Sequence, residues 1–314
     1  MARFGVIDLG SNSVRLVVYE VDEPKSGRFS KKDFSTLLDM KKMAGLSSYV
    51  ADGVFSEEGI RKAAYILSRH LVRAANVGCD RVEIFATAVL RNCTNSKEAA
   101  ACIEESIERS ICVLTGEQEA RLDFLGASCE HAMESGTLID IGGGSTELVA
   151  IAKGKARRCL SLDQGSVSSY AQFVQMVLPT AREQARIAKA LAGRLKALPD
   201  LKELKSPVLY GVGGSVRAVA KMKGACEGAL KVPKRLDRQD VGELQRFLAE
   251  DPSGFAHAAS RAVPDRLHTI GCGLAMVELL MDTLEAERLE VCRYGVREGF
   301  LIDTLLRKAD KKEG

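Results

Sequence analysis

The sequence predicts an α/β protein of two similar domains, and three observations carry that prediction. Apolar runs of strand length alternate with longer stretches of helical period along the chain. The 314 residues suit two domains better than one, and 46% hydrophobic residues are enough to fill two cores. The chain also repeats itself. "VIDLGSNSVRLVVYEV" (Val6 to Val21) and "LIDIGGGSTELVAI" (Leu138 to Ile151) align with Asp8 on Asp140, Gly10 on Gly142, Ser13 on Ser145 and Leu16 on Leu148, an offset of 132 residues (140 − 8). Each copy reads strand, short polar loop, strand.

The elements follow in order. After the first copy comes an irregular section, Lys25 to Ala51, with a strand near Ser35 to Met40. "SEEGIRKAAYILSRHLVRAANVG" reads as a helix: Ser56 caps it, Glu57 and Glu58 suit its first turn, and Gly78 ends it. "RVEIFAT" is a strand, "SKEAAACIEESIERS" a helix, "ICVLT" a strand and "EQEARLDFLGASCEHA" a helix. After the second copy, "RRCLSLD" is a third strand, with helices at Ser166 to Val177 and Ala181 to Leu198. The second of these, "REQARIAKALAGRLKAL", has one apolar stripe and one basic face, the pattern of a packed surface helix. "PVLYGVGGSVRAVAKM" is strand, Gly-rich turn, helix; a last strand lies near Leu289 to Arg293 and a last helix begins at Val296. No Pro- or Ser-rich linker is visible, so the boundary is expected inside the helix around Arg121 to Cys129. That divides the chain into 1–124 and 125–297, with the terminal helix 298–314 packing back on the first domain.

Composition narrows the function. A net charge of +3 is too mild to argue for nucleic acid or a membrane surface. The basic cluster Arg307, Lys308, Lys311 and Lys312 reads as a solvated helix end. Nine cysteines without a C-x-x-C pair, mostly in apolar runs (Cys79, Cys102, Cys112, Cys272, Cys292), read as buried thiols of a reducing compartment. "MARFGVIDLG" enters a strand pattern without a signal peptide, and no apolar run has membrane-spanning length. A cytoplasmic protein is therefore expected. His70, His131, His257 and His268 share no ligand spacing and read as structural.

The loops raise the chemical question. Three glycines at Gly142 to Gly144 exceed what a tight hairpin needs, although a hairpin remains one reading. The other is a cradle in which backbone N–H groups approach an anion, with Asp140 and Glu147 as hard oxygen ligands for Mg²⁺. Asp8 and Asp140 also suit plain turn chemistry, in which the side chain bonds its own loop.

Five stretches together resemble a known family. "DLGSNSVRL" (Asp8 to Leu16), "ATAVLRNCTN" (Ala86 to Asn95), "TGEQEARL" (Thr115 to Leu122), "DIGGGSTEL" (Asp140 to Leu148) and "YGVREGFLIDTL" (Tyr294 to Leu305) are similar to segments of the exopolyphosphatase / guanosine pentaphosphate phosphohydrolase (Ppx/GppA) family. That family belongs to the acetate-kinase, sugar-kinase and actin-like superfamily. The resemblance implies two ribonuclease-H-like (actin-like ATPase) domains with an inter-domain cleft. Gln118 departs from the family's E-E pair, "KKMAGLSSYV" (Lys41 to Val50) from its R-L-G segment, and Thr115 and Val212 differ mildly. The chain also stops where longer members add a helical region that is thought to assist processivity on long chains.

The resemblance implies roles residue by residue. Gly10, Ser11, Asn12 and Ser13 in loop one and Gly142, Gly143, Gly144 and Ser145 in loop two would bind phosphate, and Arg91 would grip it. Asp140 and Glu147, with Asp8 second, would hold Mg²⁺ or Mn²⁺; a monovalent cation is a further cofactor to test. Glu119 would be the catalytic base, its pKa raised by partial burial; spacing alone makes it an ordinary first-turn acid. Asn95 is expected to cap the helix that follows it, and Arg15 to be a charge partner or a solvent-facing strand residue. Gly213, Gly214, Ser215 and Arg217 are where a nucleotide would sit, unless the turn serves only close strand–helix packing. The expected activity is hydrolytic release of orthophosphate from inorganic polyphosphate. The alternatives are pppGpp hydrolysis, an ATP-dependent phosphotransferase, and a ppGpp or polyphosphate sensor with little turnover. Neither nucleic acid nor membrane is an expected partner; a homodimer is.

Overall fold

The computed structural model describes residues 2–22 and 30–310. They form two compact units, Met1–Glu130 with Val296–Gly314, and His131–Gly295.

In the first unit, β1 (Ala2–Leu9), β2 (Ser13–Val21) and β3 (Phe34–Met43) run as an antiparallel meander, and β6 (Arg81–Ala86) and β7 (Cys112–Val113) continue the sheet in parallel. The strand order is β3-β2-β1-β6-β7. β4 (Val50–Ala51) and β5 (Val54–Phe55) make a separate small hairpin. The central strands are buried on both faces: Ile7, Leu9, Leu16 and Val18 on one, Val6, Val17 and Tyr19 on the other. That is the burial of a sheet covered by helices on each side. The helices are α1 (Glu57–Asn76), α2 (Ala88–Arg91), α3 (Ser96–Ile107), α4 (Gly116–Ser128) and α11 (Val296–Asp310). Ser56 caps α1 by accepting the Gly59 N–H at 3.2 Å. Ala63, Ile66, Leu67, His70 and Ala74 then bury one helical stripe. His70 is a core histidine whose Nε2 lies 3.4 Å from the Val14 carbonyl.

The second unit repeats this plan. β8 (Ser135–Ile141), β9 (Thr146–Ala152) and β10 (Lys155–Leu162) form the meander; β11 (Val208–Val212) and β13 (Arg288–Val291) extend it in parallel. β12 (Arg235–Asp237) closes the far edge, in the order β10-β9-β8-β11-β13-β12. Numbered within each sheet, the first runs 3-2-1-4-5 and the second 3-2-1-4-6-5, so the two share the meander and the first parallel strand after it. Around this sheet lie α5 (Ser166–Phe173), α6 (Ala181–Lys196), α7 (Gly213–Cys226), α8 (Arg238–Glu250), α9 (Pro252–Ala262) and α10 (Ile270–Thr283). α6 buries Ile187, Leu191 and Leu195, the stripe its sequence shows, whereas α10 is apolar and buried nearly all round.

Several expectations need correction. The strand expected near Ser35 to Met40 is present and longer, the ten residues of β3; of the section from Lys25 to Ala51, residues 25–29 lie outside the described residues. "ICVLT" contributes only the two residues of β7, and α5 stops at Phe173, four residues before Val177. The first unit's long segment runs to Glu130, not Phe124, because α4 is one unbroken helix that packs within it. Lys311 and Lys312 of the basic cluster lie outside the described residues. All nine cysteines are thiols, but Cys102 and Cys112 are exposed, as is Cys226. Among the described residues no helix is long and apolar enough to cross a membrane.

α11 is the element that completes the first unit. Its Gly299 faces Leu122 of α4 so closely that a Cβ there would lie 1.9 Å from the Leu122 carbonyl oxygen. Phe300 packs on Phe85 of β6 with ring centroids 4.8 Å apart. Gly299→Ala is therefore expected to destabilise the fold by about 1–3 kcal/mol in urea unfolding. Gly193→Ala, at a position in α6 with open space around it, is expected to be neutral or to stabilise by about 0.5–1 kcal/mol. A second prediction concerns the thiols. Burial pushes Cys272 up to about 12 and Cys129 up to about 11. A thiol reacts as its thiolate, which forms as pH rises through the pKa. Iodoacetamide at pH 8 should label Cys102, Cys112 and Cys226 in the native protein, and Cys272 and Cys129 only after unfolding, as read by peptide mass spectrometry.

Candidate active site

Loop one joins β1 to β2 and is closed by the Gly10 N–H donating to the Ser13 carbonyl at 3.2 Å. Its outer side is held by backbone. The Ser11 carbonyl accepts from Ser47 N at 3.0 Å, and the Asn12 carbonyl accepts from Ala44 N and Gly45 N, each at 2.9 Å. The segment Lys41 to Val50, which departs from the family pattern, thus backs this loop. A trans peptide sets each carbonyl opposite the next residue's N–H. With carbonyls 11 and 12 turned toward residues 44–47, the N–H groups of Asn12 and Ser13 face the other way. The Asn12 Nδ2 is buried with no partner among the described residues.

Asp8 stands at the end of β1, directly across from Arg15 on β2. Its Oδ2 accepts from Arg297 Nη1 of α11 at 2.9 Å. Burial raises the Asp8 pKa above the usual carboxylate range, and the Arg297 charge opposes that rise. Arg15 turns to β3, where Asp39 receives its Nε at 2.6 Å and its Nη2 as well. Arg15 is thus a cross-strand ion-pair residue.

Glu119 and Arg91 come together. Thr115 caps α4 with a capping box: its hydroxyl accepts from Gln118 N at 3.2 Å, and Gln118 Oε1 accepts from Thr115 N at 2.9 Å. Glutamine fills this position as well as glutamate, since only an acceptor oxygen is required, so Gln118 has a structural account. The cap fixes the first turn and places Glu119, 7% exposed, where Arg91 Nη1 donates to its Oε2 at 2.5 Å. Arg91 ends α2 and also reaches the Leu114 carbonyl at 3.4 Å. Asp123, one turn beyond Glu119 on α4, is fully buried. Asn95 does not cap α3; its amide pairs with both backbone groups of Phe55, at 2.9 Å each, and secures the small hairpin.

Loop two joins β8 to β9 and is closed by Gly142 N donating to the Ser145 carbonyl at 2.9 Å. The N-terminus of α5 holds it from behind: Ser166 N donates to the Gly142 carbonyl at 2.9 Å, and Val167 N and Ser168 N to the Gly143 carbonyl at 2.9 and 3.0 Å. The same peptide-plane argument turns the N–H groups of Gly143 and Gly144 away from α5. Contact is close enough that a Cβ on Gly165 would lie 2.4 Å from the Gly143 carbonyl carbon.

Asp140 and Glu147 face each other across β8 and β9 and are both buried. Ser161 on β10, in register with Glu147, donates to its Oε1 at 2.8 Å. Two buried carboxylates on neighbouring strands, one oriented by a hydroxyl, are a hard-oxygen set that fits Mg²⁺ or Mn²⁺.

The Gly-rich turn into α7 is engaged within its own unit. Gly213 has φ +78°, and a Cβ on it would lie 1.8 Å from Asp140 Oδ1. A Cβ on Gly214 would lie 1.9 Å from Arg266 Nη2. Ser215 is buried, its hydroxyl 3.1 Å from that of Ser166 and 3.4 Å from Arg266 Nη1, and Arg217 donates to the Arg293 carbonyl at 3.3 Å. The glycines are thus the ground on which Asp140 and Arg266 rest. The residue reading gave no role to Arg266, Ser161, Asp123, Arg297 or Glu298. The i, i+4 spacing of Glu119 and Asp123 was a visible signal, and Arg297 and Glu298 lie in a quoted motif. Nothing in the chain around Ser161 or Arg266 marks them.

Gly213→Ala must displace the Asp140 carboxylate as well as strain the turn. Mn²⁺ affinity, measured by electron paramagnetic resonance on the folded variant, is expected to fall by about 10- to 100-fold.

Comparison with known proteins gives the family. Residues 5–308 match the Ppx/GppA phosphatase family. Exopolyphosphatase 1 of Mycobacterium tuberculosis is 26% identical over 315 residues, which cover 98% of this chain and 90% of that protein. The guanosine-5'-triphosphate,3'-diphosphate pyrophosphatase of Aeromonas hydrophila is 28% identical over 318 residues, covering 96% of this chain but only 59% of that protein. Among solved structures, the Ppx/GppA family member of Aquifex aeolicus superposes with a TM-score of 0.76 at 25% identity, over 98% of both chains. An exopolyphosphatase from Cytophaga hutchinsonii shares the fold with a TM-score of 0.82 at 20% identity, also over 98% of both chains. With paired hairpins of one design and a match along nearly its whole length, this chain belongs to the Ppx/GppA phosphatase family.

Proposed function

We propose that this chain is an exopolyphosphatase that releases orthophosphate from the end of inorganic polyphosphate. The observation that carries the reading is loop two: N–H groups turned outward from a glycine backbone, next to a buried pair of carboxylates. A terminal phosphate and its counter-cation need that combination. Loop one offers a second set of outward N–H groups of the same design.

In this reading Asp140 and Glu147 would hold Mg²⁺, and the ion would supply positive charge to offset that of the phosphate oxygens. Gly142 to Ser145 and Gly10 to Ser13 bind phosphate oxygens and orient the chain's end. Glu119 takes a proton from water as the water oxygen forms a bond to the terminal phosphorus. The bridging P–O bond breaks, and the shortened polyphosphate leaves as an anion. Arg91 positions Glu119, and its planar fork suits the phosphate oxygens beside it. Free thiol chemistry suits a reducing compartment, so the reaction is placed in the cytoplasm.

One observation favours polyphosphate over pppGpp: the turn expected to take a nucleotide is committed to Asp140, Arg266 and Ser166. The same anhydride chemistry would cleave the 5′-triphosphate of pppGpp, so both belong in the assay.

Orthophosphate release should be measured on polyphosphate of several lengths and on pppGpp, with Mg²⁺ and with K⁺ or Na⁺ present. Wild type is expected to turn over polyphosphate faster, and Glu119→Gln to lose about 10²- to 10⁴-fold in kcat. Full activity in Glu119→Gln would remove its role as base, and a preference for pppGpp would reassign the substrate.

A further inference from the structure

The two hairpins share a backbone design but differ in charge. At the matching positions the second unit pairs Asp140 with Glu147 across the strands, while the first pairs Asp8 with Arg15. Two acids side by side attract a divalent cation. An acid beside guanidinium groups does not, since a further cation would be repelled.

Asp8 faces charge from two elements. From β2 comes Arg15, bonded to Asp39. From α11 come Arg297, bonded to Asp8, and Glu298, which accepts the Tyr19 hydroxyl at 2.7 Å in a buried site. The side chains of Asp8 and Arg297 are each only 16% exposed. Arg297 Nε is a further buried donor with no acceptor among the described residues. The helix that carries Arg297 is tied down at three points: Asp8 on β1, Tyr19 on β2, and Arg121 of α4, which donates to Asp303 at 2.7 Å. That helix therefore links loop one to α4, on which Glu119 stands.

We infer that Arg297 is a positioning residue that holds the Asp8 carboxylate as the anchor of loop one, and that Asp8 is its counter-ion and not a ligand of the divalent ion. Only one arm of the test rests on the proposed function. One divalent site per chain follows, supplied by the Asp140 and Glu147 pair.

Mn²⁺ binding to the full chain, read by electron paramagnetic resonance, tests the ligand question without turnover. Asp8→Asn should keep one Mn²⁺ with affinity within about threefold of wild type, whereas Asp140→Asn should lose at least about tenfold. An equal loss in both variants overturns the inference. Denaturant unfolding of Asp8→Asn, Arg297→Gln and the double variant tests the pair. Each single variant strands a buried partner, so the double variant should be more stable than the sum of the single losses predicts. Additive losses overturn the coupling. In turnover, Arg297→Gln should raise KM for polyphosphate several-fold while Mn²⁺ affinity holds, because loop one is misplaced and the metal site is not. A parallel loss of Mn²⁺ affinity overturns the role. If wild type hydrolyses neither polyphosphate nor pppGpp, the proposed function fails, and the metal and coupling measurements still decide this inference.

Discussion

The planar trans peptide is the constraint on which both hairpins depend. It joins each carbonyl to the next residue's N–H in opposite directions, so a loop held by its carbonyls from one side must present its N–H groups to the other. Residues 44–47 hold loop one in this way, and the first turn of α5 holds loop two. The supports differ in kind, one an irregular segment after β3 and the other a helix start, yet the result is the same. This explains why "KKMAGLSSYV" can differ from its relatives without loss of the loop. What is asked of it is backbone N–H groups at the right places, which nearly any side chain permits.

On this shared backbone the side chains have diverged. Across the strands of the second unit an acid faces an acid; in the first, an acid faces a base that turns to a neighbouring strand. Support follows the same division. Ser161 orients Glu147 with a neutral hydrogen bond. Asp8 receives a full guanidinium, which cancels its charge. A duplicated fold thus yields two hairpin loops of one backbone design, one beside two carboxylates and the other beside a carboxylate with a guanidinium.

Much of this was legible in the sequence because it rests on local signals. The repeat, the cap at Ser56 and the stripe of α6 depend on residues a few positions apart, and period and capping chemistry reveal them. The position of Asp140 and Glu147 across a hairpin follows from the loop length. What was hidden depends on contacts between distant segments. Asn95 looked like a helix cap, but its amide serves Phe55, 40 residues away. Arg297 meets Asp8 at a separation of 289 residues, and Ser161 meets Glu147 only because β10 pairs with β9 in one register. The exposed Cys102 and Cys112 show the opposite failure: an apolar neighbourhood in the chain is no guarantee of an interior place in the fold. The strand near Ser35 to Met40 was readable but its ends were not, because the apolar residues of this outer strand (Phe34, Leu37, Leu38, Met40, Met43) follow no strict alternation and most of its length is exposed.

The first unit is discontinuous, and that has a consequence for its biosynthesis. The ribosome makes residues 1–130 first, then the whole of the second unit, and only then α11. Until α11 emerges, the Asp8 carboxylate, the Tyr19 hydroxyl and the Leu122 face of α4 lack their native neighbours. The earlier segment must wait, partly folded, while the later one can close on its own contiguous chain. The unit begun second thus has the means to finish folding first. The side chain at the root of loop one, Asp8, therefore meets its native partner Arg297 only after the whole of the second unit has been made.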